Sequence, residues 1–518
     1  RVIRSPLDST LRSLRLTESV LEHTNAAGSP LVLNLTDVIG AKAGPAKAEH
    51  SSTDREVHHL EVFAYVPSSK GACGSIQRHA AHQTWIASDA GVAEKWASAI
   101  NDCLKADRQS GVGGAETARV VGPGRRLLVL VNPASGQGGS RSAWEKTLRP
   151  MLEQAMSKIT LVVSSRPGDL AEAISAAGSS SEERGEGMAT DSTDATAGGR
   201  REGEARLDSL DEYDGIVTVG GDGTLHEVLQ GIYARPDCAR QLSRLSLGVV
   251  PAGSGNGLAK TVSEESGENF GVMSAAFLAA KGRTKQLDLL PTECGNKKYL
   301  AFLTVGWGMI SDVDIESEAY RWVGSLRFTV GTVVRIASLR HYGGRITFLR
   351  ELPRTEHSGA APTSSADTPF RMPPLSESIN SAGAADEEWT SVEGDFRPSA
   401  SLKPAPHAAA VQAKYISHDM PMAPASRLGD GLMDLFFVKK GAGRVAMIKM
   451  FLAMEAGEHI SPRYPSVCWY RVRAFRIEPQ TPKGRLTVDG ELVNYAPIQQ
   501  HVWRKAANII CSPAPASP

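Results

Sequence analysis

The sequence predicts an α/β fold: a doubly wound parallel sheet, preceded by a small α+β module and followed by a mainly antiparallel β region. Three observations carry this. Apolar strand-like runs alternate with amphipathic helical runs across residues 126–253, strands dominate from about Lys285 onward, and the first hundred residues read as strands closed by one helix. A chain of 518 residues has room for two to four domains. The expected division is 1–107, 122–282 and 283–511.

In the first block, residues 31–35, 60–66 and 83–88 read as strands. A helix follows from Asp89, with Val92, Trp96, Ile100 and Leu104 at every fourth position and Ser88 or Asp89 as its cap. In the second block the strands are expected at 126–133, 159–165, 215–219 and 245–253, and the helices at 142–158, 169–177 and 224–234. Residues 178–205 and 354–410 are polar or rich in Pro, Ser and Ala. With little to bury, both are expected to be disordered insertions, and the segment 41–58 and the tail from Ser512 read as loops.

Composition excludes several functions. Lysine plus arginine number 57 and the acids 57, so no bulk charge draws the chain to nucleic acid. The six cysteines (Cys73, Cys103, Cys238, Cys294, Cys468, Cys511) form no CxxC pair, which fits reduced thiols and a cytoplasmic location better than zinc or disulfides. The longest apolar runs, such as 270–280, fall short of the roughly 20 residues of a spanning helix. A targeting segment ahead of Arg1 is left open.

The chemistry is concentrated where strands end. Three of the expected parallel strands run into glycine-rich loops, "NPASGQGGS" from Asn132, "GGDGT" from Gly220 and "PAGSGNGLAK" from Pro251, each ahead of a helix. Ligands of open α/β sheets sit beyond the carboxyl ends of the strands, and free N–H groups at helix N-termini favour phosphate. Three such loops on one sheet edge describe a polyphosphate site. Neither GxxxxGK[ST] nor GxGxxG is met: Lys260 lies three residues past Gly257, and the glycines at 253, 255 and 257 alternate.

These three motifs resemble those of the diacylglycerol-kinase-type catalytic domain shared by sphingosine, ceramide and diacylglycerol kinases. "GGDGT" alone also fits NAD kinases. Residues 307–346 are similar to the long motif peculiar to sphingosine kinases, and residues 430–460 and "VDGELV" from Val488 follow in the same order. The strands and tryptophan-bearing helix of the first block resemble a pleckstrin-homology-like module. The resemblance therefore implies a sphingoid-base kinase using ATP and Mg²⁺, with a nucleotide domain and a β-rich lipid-binding domain. A ceramide or diacylglycerol kinase, or a noncatalytic lipid-binding scaffold, are the competing readings.

Residue by residue, the resemblance makes Asp222 the base that accepts the proton of the attacking alcohol, with Gly220, Gly221 and Gly223 shaping the loop around it. An isolated Asp-Gly pair would be read as a turn. The nucleotide contacts carried over are Asn132, Pro133, Ala134, Ser164 with the rest of loop 164–168, Glu227, Gly253, Ser254, Gly255, Arg321, Arg327, Asp489, Gly490 and Glu491. Asp489-Gly490 is also a strong hairpin-turn signal. Of the alternating acids Asp312, Asp314, Glu316 and Glu318, the motif position assigns Asp314 to the substrate's ammonium group, with Thr304 as a hydroxyl contact. Met447, Ile448, Met450, Phe451, Leu452 and Met454 form a soft apolar helix suited to an alkyl chain. No resident metal site is expected, so Mg²⁺ enters with ATP. The expected partners are a sphingoid-base lipid, intracellular membranes met peripherally and a second copy in a homodimer, but not nucleic acid.

Overall fold

A computed structural model of the chain describes residues 3–5, 13–24, 30–45, 58–68, 75–87, 89–106, 124–136, 138–178, 207–317, 331, 342–351, 372–377, 379, 389–394, 408–438 and 444–512. Its centre is a sheet whose parallel part runs in the order Lys158–Val163, Arg126–Val131, Gly215–Gly220, Ser246–Pro251, Trp503–Cys511. Strand alternation explains why both faces are covered. In Arg126–Val131, Leu128 and Leu130 pack with Leu170, Ile174, Leu225 and Val228 of helices Asp169–Ala176 and Asp222–Tyr233. Leu127, Val129 and Val131 pack on the other face with Trp144, Leu148, Met151 and Phe277. The sheet is doubly wound, as the pattern predicts.

The fifth parallel strand comes from far along the sequence. Trp503–Cys511 pairs in parallel with Ser246–Pro251 and antiparallel with Arg283–Cys294, so it joins the α/β unit to the antiparallel β region. The expected boundary at 283 therefore cuts through one continuous sheet. Beyond it lie antiparallel strands including Val467–Pro479, Met433–Val438, Ala408–Val411, Thr304–Trp307 and the hairpin Leu486–Val488/Glu491–Val493.

Segment 354–410 corrects the sequence reading. Trp389–Gly394 is an antiparallel partner of Gly344–Arg350, and Ala408–Val411 lies between Thr304–Trp307 and Met433–Val438 with all four residues buried. Alanines carry little strand signal. Here their small side chains fit between crowded layers. Arg476 also binds this segment, donating to the carbonyl oxygens of Pro373, Pro374 and Glu377. Insertion 178–205 lies outside the described residues after Gly178.

Two smaller expectations also change. The helix expected at 142–158 is three pieces, Gly139–Ala143, a π-turn Trp144–Leu148 and Arg149–Gln154, while Lys158 already opens the next strand. Pro150 has no N–H to continue the ladder, and the helix resets its register there. Strand Val38–Pro45 occupies the start of the expected loop 41–58.

The N-terminal module consists of two four-stranded antiparallel sheets, closed by helix Ala90–Ala106. Asp89 caps that helix by accepting the Val92 N–H at 2.9 Å. Leu14, Leu33, Leu60, Trp85, Trp96 and Ile100 form its core. The module is seated firmly on the α/β unit, since Ile39 and Tyr65 belong to the same core as Val129 and Phe277. Arg78 joins the two parts: it reaches Asp37 at 2.8 Å, Glu268 at 2.7 Å and the carbonyl of Tyr65 at 2.7 Å, with its guanidinium 3.7 Å from the Phe277 ring centre. Lys281 donates to the carbonyls of Leu35 and Val38, and the Tyr65 hydroxyl donates to Gln154 at 2.7 Å.

Candidate active site

The strand order places Arg126–Val131 between the second and third strands, so the chain switches direction between it and Gly215–Gly220. Loops leave the carboxyl ends of these two strands towards opposite faces, opening a crevice. The glycines of the loops pack against one another. A Cβ on Gly253 would lie 2.3 Å from the Gly221 Cα, and one on Gly136, where φ is +59°, would lie 2.6 Å from the Ala252 carbonyl oxygen. Ser135 Oγ accepts the Gly221 N–H at 2.8 Å, and Asn256 holds both the N–H and the carbonyl of Gly253. Close backbone approach between loops is what these glycines permit.

Asp222 opens helix Asp222–Tyr233 but points at a different helix. Its Oδ2 accepts the Gly257 N–H at 2.8 Å and its Oδ1 the Leu258 N–H at 3.3 Å, at the start of helix Gly257–Glu265. Glu227 similarly accepts N–H groups of Gly168 and Leu170 at the start of Asp169–Ala176. The N-terminus of Gly257–Glu265, expected to face phosphate, is therefore occupied by the protein's own Asp222, and that of Asp169–Ala176 is faced by Glu227. The same dipole that attracts phosphate attracts them.

Burial raises the Asp222 carboxyl to about 6, against the opposing pull of the Gly257 and Leu258 N–H groups, and the charge of Asp489 adds to the rise. A carboxyl tuned to this range suits a general base working near neutrality. Burial also raises Glu227, whose Oε2 is enclosed with no hydrogen-bond partner among the described residues.

Asp489 and Gly490 form the two-residue turn of their hairpin, with φ of +50° and +86°. The Asp489 carboxylate is fully engaged. Oδ1 accepts the N–H groups of Leu303 at 2.9 Å and Thr304 at 3.0 Å, and Oδ2 lies 3.0 Å from His226 Nδ1. It thus ties the glycine-loop helix to the strand carrying Thr304.

All of this borders one cavity of about 650 Å³. One part is lined by the loops and acids, the other by Met309, Ile310, Met420, Met422, Met450, Phe451 and Met454. Asn132, Ala134, Gly221, Asp222, Gly223, Glu227, Gly253, Ser254, Gly255, Thr304, Asp489, Gly490 and Glu491 line it together. Pro133, Ser164 and Gly220 do not, although Pro167 and Gly168 of the Ser164 loop do. Gly220 instead makes room for Thr224, whose Oγ1 would lie 2.2 Å from an added Cβ.

Asp314 lies on helix Met309–Ser317, one turn beyond cavity-lining Ile310, and its side chain is outside the described residues. Its neighbours Asp312 and Glu316 face Arg485, at 3.7 and 2.8 Å. Arg321, Arg327 and Glu318 lie outside the described residues. On helix Arg444–Met454, Met447 is buried away from the cavity and Leu452 is exposed. Sequence reasoning passed over Ser135, inside a quoted motif, and His226, two residues beyond one. Ser135 carried a local signal, a polar side chain beside a glycine turn, and His226 carried none.

Two family models match the chain, the diacylglycerol kinase catalytic domain over residues 126–291 and the YegS C-terminal NAD kinase beta sandwich-like domain over residues 391–511. Sphingosine kinase 1 of Mus musculus is 31% identical, in a match covering 74% of this chain and 91% of that one. The chain belongs to the sphingosine kinase family. Within this family, sphingosine kinase 1 of Homo sapiens is 30% identical over 73% of this chain and 88% of its own, and human sphingosine kinase 2 is 28% identical over 81% and 76%. With its diacylglycerol kinase catalytic domain, this family member is an ATP-dependent lipid kinase. No helix among the described residues is long and apolar enough to cross a membrane.

Proposed function

We propose that the protein transfers the γ-phosphoryl group of ATP to the primary hydroxyl of a sphingoid long-chain base. The observation that carries this is the single cavity in which Asp222 and the interlocked glycine loops open onto a methionine-rich pouch. An alkyl chain fits soft, adaptable methionine walls, and its hydroxyl end then meets the acid. As the oxygen–phosphorus bond forms and the β–γ bridge breaks, the alcohol proton passes late to Asp222, because the transition state is loose. Mg²⁺ enters as MgATP, carried by phosphates and waters.

The nucleotide set named from sequence, Arg321 and Arg327 included, belongs to this reading. So does Asp314 as the partner of the lipid ammonium. We read residues 1–107 as a pleckstrin-like module, and the enzyme as meeting intracellular membranes peripherally, because its product is an amphiphile. The named activities of its relatives support the substrate class.

The deciding experiment offers labelled ATP with sphinganine, ceramide or diacylglycerol in matched micelles. Sphinganine should be the preferred acceptor, and Asp314→Asn should raise its KM while leaving that for ATP unchanged. A carboxylate in an apolar pocket favours a cationic amine and is left unpaired by a neutral amide or ester. Preferential phosphorylation of ceramide or diacylglycerol would replace the sphingoid assignment with one of those activities.

A further inference from the structure

The cavity presents an electrostatic imbalance. Its described wall carries four carboxylates, Asp222, Glu227, Asp489 and Glu491, and a single basic side chain, His226. A nucleotide bringing several negative charges into such a place needs compensation. The helix N-termini at Gly257 and Gly168 are already engaged with Asp222 and Glu227.

We propose that His226 works as an imidazolium, a positioning residue that holds Asp489 in place and supplies positive charge to the nucleotide phosphates. The residue is 7% exposed, lines the cavity and has its Nδ1 3.0 Å from Asp489 Oδ2. Because the same carboxylate accepts from Leu303 and Thr304, His226 also fixes the strand that forms the cavity wall opposite the glycine loops. Gln230, one turn along, donates to the Leu300 carbonyl at 2.9 Å and accepts the Leu300 N–H, tying the same helix to the preceding strand Lys297–Ala301. The link is thus built from side chains of the Asp222–Tyr233 helix itself.

The charged groups facing His226 all favour its protonated form. Burial lowers its pKa, but the hydrogen bond and charge of Asp489, then Glu491 on the same hairpin and Glu227 on its own helix, more than offset this, and the net shift is upward. A raised imidazole stays charged above its ordinary range and loses its proton as pH rises through the raised value. Nucleotide affinity should therefore weaken on the alkaline side.

The test is calorimetric binding of ADP to the full chain without lipid, from about pH 7.5 to 9.5, above the last phosphate ionisation of ADP at roughly pH 6 to 7. The proposal rests on the ATP-dependent kinase assignment and not on the identity of the lipid, so its failure is distinct from failure of the sphingoid reading. Wild-type affinity should fall about tenfold across the range, as one charge-assisted contact is lost. His226→Asn, which keeps a donor near the Nδ1 position without the charge, should bind ADP about tenfold more weakly at neutral pH, with a flat profile. Asp489→Asn should move the wild-type midpoint to lower pH. A flat wild-type profile overturns the proposal and needs no variant to fold. So does His226→Asn with the wild-type slope, which would assign the titration to another group.

Discussion

Two buried acid–base clusters use similar ingredients for different ends. Between the N-terminal module and the α/β unit, Arg78 meets Asp37, Glu268, the Tyr65 carbonyl and the Phe277 ring, so the cation is saturated on every side. In the cavity, among the described residues, one histidine stands amid four carboxylates, with Asp222 raised to about 6. The first cluster is a closed set of contacts, as a joint requires. Among the described residues the second is short of positive charge, and that imbalance is a better marker of a working site than burial or polarity alone.

The comparison predicts that the joint controls stability and the cavity controls rate. Arg78→Ala should have the largest effect on folding, about 3–5 kcal/mol, because two buried carboxylates lose their partner. Denaturant melting should show it, while turnover at low temperature stays near wild type; lost turnover with intact stability would erase the distinction. By the same reasoning, deleting residues 1–107 should expose the core face around Phe277 and destabilise the kinase, and not merely unload a membrane-recruiting module.

Asp222→Asn should do the reverse, lowering kcat roughly 10²- to 10⁴-fold with melting unchanged or improved. The sign follows from linkage: a carboxyl whose pKa is raised from 3.8 to about 6 on folding favours the native state when protonated, and that contribution is lost as pH rises towards 6. Neutral asparagine avoids the loss. Wild-type kcat should itself fall below about pH 6 as Asp222 takes up a proton, and this acid limb should vanish in the variant. A variant that melts several degrees lower would make Asp222 a structural cap of helix Gly257–Glu265. The smallest effect belongs to Asp89→Ala, about 1 kcal/mol from the lost cap of helix Ala90–Ala106, with turnover untouched. A loss of turnover there would mean that the module communicates with the cavity.

Much of the site was legible because its signals are local. Strand, glycine turn and acid occur within a few residues at Gly220–Asp222, and Asp489-Gly490 announces its hairpin by composition. What escaped depended on distant partners. Nothing near Asp222 says that its carboxylate will cap a helix beginning at Gly257, or that Glu227 will reach Gly168. His226 sits in a plain helical stretch and acquires its role only from Asp489, a residue brought alongside by the sheet. Ala408–Val411 was missed for the related reason that burial, not propensity, makes it a strand. The joint at Arg78 was invisible because its four partners, Asp37, Tyr65, Glu268 and Phe277, are far from it or from one another in sequence.

The position of Trp503–Cys511 bears on how the molecule comes into being. During synthesis, Ser246–Pro251 leaves the ribosome long before the strand that must lie beside it. Until then the half-built sheet presents an open edge, the kind of surface that pairs with the wrong neighbour. Nascent chains are therefore the form most in need of a chaperone, and arrest of translation short of Trp503 would release a protein with its glycine loops already made and the sheet that supports them unfinished.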